Sequence, residues 1–85
     1  MRSEIMKTKL EAAFSPHVLA VIDESQQHHG HSGAREGGET HYRIRIKSAA
    51  FAGMSRLAMH RAIHQVLAED LISGVHALAI EALAA

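Results

Sequence analysis

The segment from Thr40 to Ile80 restricts the fold more than any other part of the chain. It opens on an alternating run in which Tyr42, Ile44 and Ile46 share one face and His41, Arg43, Arg45 and Lys47 the other. A turn at Phe51-Ala52-Gly53 follows, then a helical pattern from about Ser55 to Leu71, then a β-forming run, Val75-His76-Ala77-Leu78-Ala79-Ile80. Strand, helix, strand in that order is a crossover unit. It sets the two strands parallel and lays the helix across one sheet face.

The remaining elements complete this unit. Met6, Leu10, Ala13 and Phe14 recur at helical spacing, which predicts a helix over 3–14 with Ser3 as its N-cap and Pro16 as its stop. Val18 to Asp23 is apolar and rich in β-branched residues, as a strand buried on one or both faces requires. Ser25 to Gly38 holds four of the six glycines and reads as a loop, longer than the usual connection of about 4–6 residues. Its ends lie on two strands that pair as an antiparallel hairpin. In the central helix Ala62, Ile63, Val66 and Leu67 form the apolar stripe with Met59 at its edge, and Arg56, His60, Arg61, His64 and Gln65 take the opposite arc. Gly74 supplies its C-terminal break. Glu69 and Asp70 then fall at the negative end of the helix dipole, an unfavourable place with no account in the sequence. The last strand ends near Glu81 and leaves an alanine-rich tail that frays. The expectation is a single α+β domain over 1–85: a three-stranded mixed sheet, helices on one face, the basic row on the other.

Composition limits the chemistry. The chain has 85 residues and no cysteine, so disulfides and thiolate ligands of its own are excluded. Nine basic residues balance nine acidic ones, and bulk charge does not point to nucleic acid. No apolar run approaches the roughly 18 residues of a membrane span, and no apolar core of a signal peptide follows Met1, so a cytoplasmic protein is the simple reading. The unusual count is eight histidines, of which His28, His29 and His31 fall together in the glycine-rich loop. That cluster fits metal affinity, a pH response or a solvated loop. No nucleophile, base and oxyanion set can be assembled from the spacings, so an enzyme is the least favoured class.

Several stretches match one family in order and spacing. They are Leu10, Ala13-Phe14-Ser15-Pro16, Asp23-Glu24-Ser25, His28, Gly37-Gly38-Glu39-Thr40-His41, Phe51, Gly53, Ser55-Arg56, His60-Arg61, Glu69 and Val75-His76-Ala77-Leu78. With these residues the chain resembles the BolA family over about residues 5–81. The resemblance implies a small α/β sandwich of the class II KH type (α-β-β-α-β). It also implies a non-catalytic partner of a monothiol glutaredoxin, acting in iron–sulfur cluster assembly and trafficking or in iron regulation. In such a complex a [2Fe–2S] cluster is shared with the glutaredoxin and glutathione, and none is expected in the isolated protein. The family's ligands fall on His76 and on a loop residue, best matched by His28, with His29 and His31 beside it. The free protein is then a monomer that forms a hetero-oligomer with glutaredoxin. The family has also been described as DNA-binding transcription regulators. One departure is Met59-His60-Arg61, where the family often shows Arg-His-Arg; it thins the basic helix and places Met59 on an exposed edge.

The residues themselves leave plainer readings open. His76 fits a hydrogen-bonded structural histidine as well as a ligand, and His-His-Gly-His by itself is a weak metal signal, whether for a shared cluster or for a separate Zn²⁺ or Ni²⁺ site. Arg43, Arg45 and Lys47 on the strand, with Arg56, His60 and Arg61 on the helix, fit a solvated surface, a partner surface or phosphate contacts. The turn Phe51-Ala52-Gly53-Met54-Ser55 lacks the Gly-x-x-Gly clamp of KH domains.

Overall fold

The computed structural model describes residues 2–24, 41–75 and 77–85. The elements run α1 (Arg2–Phe14), β1 (Val18–Asp23), β2 (His41–Ser48), a 3₁₀ turn (Ala49–Phe51), α2 (Arg56–Val66), α3 (Ala68–Ser73) and β3 (Ala77–Ala84). They form one three-stranded sheet in the order β1-β2-β3. β1 pairs antiparallel with β2, from Val18 opposite Lys47 to Asp23 opposite Tyr42. β3 pairs parallel with β2, from His41 beside Ala77 to Ser48 beside Ala84. The expected α+β mixed sheet is therefore the observed one.

Alternation in β2 decides which face is covered. Tyr42, Ile44 and Ile46 are buried, and Met6 and Leu10 of α1, Phe51, Ile63, Leu67 and Val75 close over them in one core. Leu19 and Val21 of β1 and Leu78, Ile80 and Ala82 of β3 extend that layer on either side. Period two in the strands and period 3.6 in the helices thus deliver their apolar residues to one interface. Val18 and Ile22 are exposed, so β1 is buried on one face only.

Polar contacts close the C-terminal end of α1 and fasten it to the sheet. Ser15 takes the left-handed conformation (φ 43°) just before Pro16, and its N–H donates to the Glu11 carbonyl at 3.0 Å, closing the helix. Ser48, fully buried, donates its hydroxyl to the Phe14 carbonyl and accepts from the Ala50 N–H at 3.1 Å. One side chain thereby satisfies an orphan carbonyl of α1 and starts the 3₁₀ turn. The Phe14 and Phe51 rings meet beside it with centroids 4.9 Å apart.

Four expectations need correction. Ser3 lies inside α1, which already includes Arg2, and is not its N-cap. The central helix is two helices: Leu67, at φ −99° and ψ 16°, leaves helical geometry between α2 and α3 while its side chain stays fully buried. Met59 is half-buried against the core, not on an exposed edge. The alanine tail continues β3 to Ala84, with the Ala85 N–H bonded to the Ser48 carbonyl at 3.1 Å, because β2 still offers a parallel partner there.

The break at Leu67 also accounts for Glu69 and Asp70. They stand in the first turn of α3, where the helix dipole favours carboxylates, not in the last turn of a longer helix. Asp70 is 3% exposed and accepts from Arg2 Nη1 at 3.0 Å and Lys9 Nζ at 2.8 Å. Arg2 Nη1 also donates to Ser73 Oγ at 2.9 Å. The Asp70 carbonyl accepts from the N–H groups of Gly74 and Val75, which turns the chain toward β3. Asp70 is thus the point at which α1, α3 and the approach to β3 are joined.

Replacing Asp70 with alanine is expected to lower stability by about 1–3 kcal/mol, the range for breaking charge-assisted hydrogen bonds whose cations can be resolvated. Arg2 and Lys9 are partly exposed, so neither is left as a buried unpaired charge. Urea unfolding of Asp70→Ala and Lys9→Ala checks this. Lys9→Ala should cost less, since Arg2 still neutralises the carboxylate.

Candidate functional site

The sheet brings one set of candidate positions to a single end. The Glu24 N–H donates to the His41 carbonyl at 2.8 Å, and His41 lies beside Ala77 in the parallel register. The segment that carries His28, His29 and His31 leaves the sheet at Glu24 and rejoins it at His41, while His76 directly precedes Ala77. His28, His29, His31 and His76 themselves lie outside the described residues. Glu24, His41, Tyr42 and Arg43 with Ala77, Leu78 and Ala79 line an open depression of about 280 Å³ at this end. Among the described residues no group of three or more histidine, aspartate or glutamate side chains is placed to hold a metal ion.

The basic row occupies the uncovered sheet face, but it is not a bare strip of cations. Arg43 Nε donates to Glu24 Oε2 at 2.9 Å and its Nη1 to Glu81 Oε2 at 3.0 Å. Arg45 Nε reaches the same Glu81 oxygen at 3.4 Å. The register explains the cluster, since Glu81 of β3 stands directly beside Arg45 of β2 and diagonally from Arg43. The hydrogen bonds it donates to Glu24 and Glu81 hold the Arg43 guanidinium above its ordinary pKa. The Arg43 hydrogen bond holds the Glu81 carboxyl below its ordinary range, with the Arg45 bond adding to it and partial desolvation opposing it. Lys47, farther along the strand, makes no ion pair among the described residues. The alternation of β2 made the basic row legible in the sequence. Its neutralisation depends on strand register, which single-strand patterning does not encode; the one signal was an isolated acid, Glu81, in an otherwise uncharged strand.

The helical candidates lie elsewhere. Ser55 caps α2 by accepting from the Ala58 N–H at 3.1 Å, and Gly53, at φ 79°, makes the turn before it. Arg56 and Arg61 are exposed and His60 is half-buried. Arg56 and His60 line a groove of about 240 Å³ against Ile80, Glu81, Ala82 and Leu83 of β3, and Arg61 is not part of it. His17 and His64 are exposed.

A family model described as BolA-like protein matches residues 10–85. The chain belongs to the BolA-like family. An uncharacterised protein of a Sinorhizobium species is 54% identical over 80 residues, covering 93% of this chain and 86% of that one. BolA-like protein 1 of the orangutan Pongo abelii is 48% identical over 91% of this chain, which spans only 53% of that protein. A Vibrio cholerae protein named DNA-binding transcriptional regulator BolA is 38% identical, with 94% of this chain and 72% of the relative covered. The solved BolA domain of SufE1 from Arabidopsis thaliana superposes with a TM-score of 0.87 at 43% identity, covering 98% of this chain and 91% of that chain. The BolA fold expected from the sequence is thus met both in family and in architecture.

The Glu81 cluster carries a pH signature. A carboxyl whose folded pKa is depressed stabilises the fold above its unfolded pKa and loses that contribution as pH falls through the folded value. Glu81→Gln should therefore melt below the wild type at neutral pH, and the two melting curves should converge only at pH below the ordinary glutamate range. Thermal melts of both proteins from neutral to strongly acid pH check this. A constant difference across that range is the contrary result.

Proposed function

We propose that this BolA-like protein is a non-catalytic partner of a monothiol glutaredoxin. It helps to hold a [2Fe–2S] cluster, as cargo, through His76 and a histidine of the 25–40 segment. The observation that carries this reading is the placement of Glu24, just past β1, beside His41 of β2, which itself stands beside Ala77 of β3, at one end of the sheet. His76 is one residue from Ala77, and His28 is four residues from Glu24, a reach of at most about 14 Å. Neighbouring strands are about 4.8 Å apart, so the covalent reach of the chain from Glu24 and from Ala77 is long enough for a histidine of each segment to meet one small inorganic group.

The donor set suits the group. The chain has no thiolate, so the partner and glutathione supply the sulfur ligands and this chain supplies nitrogen. Replacing thiolate by neutral imidazole removes negative charge at the iron and makes ligation depend on imidazole protonation. A bond released by a proton suits transfer better than permanent storage. One proposed ligand directly precedes β3 in the chain, and Glu24 and His41 bound the segment that carries the other.

The test is a titration of the protein into cluster-loaded monothiol glutaredoxin, followed by visible circular dichroism. Wild type should convert the spectrum to a new form. His76→Ala should fail to do so while keeping its far-ultraviolet spectrum, and His28→Ala should do so in part or fail. An unchanged conversion with His76→Ala removes His76 from the ligand set. No conversion by wild type removes the cluster reading.

A second reading, DNA binding, is favoured by the name of the Vibrio relative and by Arg56 and Arg61, which are exposed and form no ion pair among the described residues. It is weakened by the carboxylates that engage Arg43 and Arg45. Binding that falls steeply with salt, and more weakly so for Arg56→Ala or Arg61→Ala, is its signature.

A further inference from the structure

We propose that the outer edge of β3, with the groove lined by Arg56 and His60, receives an extended acidic segment of a partner protein as a fourth strand. The groove of Arg56 and His60 shares no lining residue with the depression at the cluster end, and the proposal does not rest on the cluster reading.

The backbone of β3 is arranged for it. The Ala85 N–H bonds to the Ser48 carbonyl of β2. In a parallel ladder, alternate residues direct both backbone groups to the same neighbour. Glu81 and Leu83 therefore face β2, and Leu78, Ile80 and Ala82 direct their N–H and C=O groups outward. Among the described residues β2 is the sole strand paired with β3, so this row has no ladder partner.

The two edges of the sheet are unequally protected. β1 has six residues, begins just after Pro16, ends in Asp23 and has α1 packed beside it. β3 has eight residues and contains no proline and no lysine. Its one charged residue, Glu81, lines the groove, but its carboxylate is engaged by Arg43 and Arg45. Long edges without proline or lysine to block them are the kind that accept an added strand.

Charge selects the occupant. A strand laid along β3 sends alternate side chains to the helix side of the sheet, where Arg56 and His60 line the groove. Neither makes an ion pair among the described residues. A carboxylate can take the Arg56 fork and accept from the imidazole of His60. A second copy of this chain is disfavoured by the same geometry. Antiparallel pairing of two β3 edges about a two-fold axis normal to the sheet places both α2 helices on one side. The two Arg56 grooves then lie on the same side of the joined sheet, and the one acid that lines each of them, Glu81, is already engaged by Arg43 and Arg45.

The probe is a blocked hexapeptide of alternating glutamate and valine, with a lysine–valine peptide as control, added to the full chain and followed by amide hydrogen exchange. The glutamate peptide should bind and slow exchange at Leu78, Ile80 and Ala82. Ala82→Pro removes one outward donor at an edge position that tolerates proline, and Arg56→Glu reverses the groove charge without touching the backbone. Each should weaken binding about tenfold, and Arg56→Glu keeps the test decisive if Ala82→Pro does not fold. Four results overturn the proposal. They are no binding at about 1 mM peptide, equal binding of the lysine peptide, protection at other amides, and protection of these amides by self-association without peptide.

Discussion

β2 is hydrogen-bonded along both edges and buried along one face, and every other element is placed by that double demand. Its two ladders run in opposite senses, antiparallel to β1 and parallel to β3. A hairpin can supply the first pairing, but the second requires a crossover long enough to return the chain to the start of the sheet. The 3₁₀ turn, α2 and α3 are that crossover. Because Tyr42, Ile44 and Ile46 must be covered, the crossover packs on their face and α1 joins it. The opposite face, with Arg43, Arg45 and Lys47, is left to solvent and to whatever docks there.

The crossover is divided into two helices at Leu67. Continuous helix from Ser55 to Leu71 would put Glu69 and Asp70 among unsatisfied carbonyls at a helix C-terminus. The break at Leu67 turns the same two residues into the first turn of a new helix and lets the Asp70 carboxylate drop into the interior between Arg2 and Lys9. A buried carboxylate is tolerable only when cations and hydrogen bonds replace its water. Here both come from α1, the element farthest away in sequence. The N-terminal helix therefore does more than cover the sheet: it holds the turn through Gly74 and Val75 that leads into β3.

Polar chemistry is divided among three regions. One end of the sheet gathers the attachment points of the histidine-bearing segments. The uncovered face holds Arg43 and Arg45 in a network with Glu24 and Glu81, which fixes cations in place while lowering the net charge available to a polyanion. The outer edge of β3 keeps Arg56 and His60 without such partners beside a row of outward backbone groups. Net charge near zero is thus compatible with local electrostatic patterning, and only the last region leaves its arginine unneutralised by the described acids.

The sequence by itself determined the order of the strands and of the N-terminal and crossover helical regions, the mixed sheet, the buried face of β2 and the family, because period, turn chemistry and ordered motifs are local properties of a chain. It marked the histidines and arginines that carry the functional readings for the same reason. Tertiary structure alone decided the break at Leu67, the burial of Asp70, the extension of β3 to Ala84 and the pairing of Glu81 with Arg43 and Arg45. Each of these joins residues from different strands or helices, and its free energy arises from desolvation and register that exist only once those elements meet. A carboxylate in a helical run reads as solvent-facing until a cation distant in sequence arrives beside it, and an alanine tail reads as frayed until a neighbouring strand offers it hydrogen bonds.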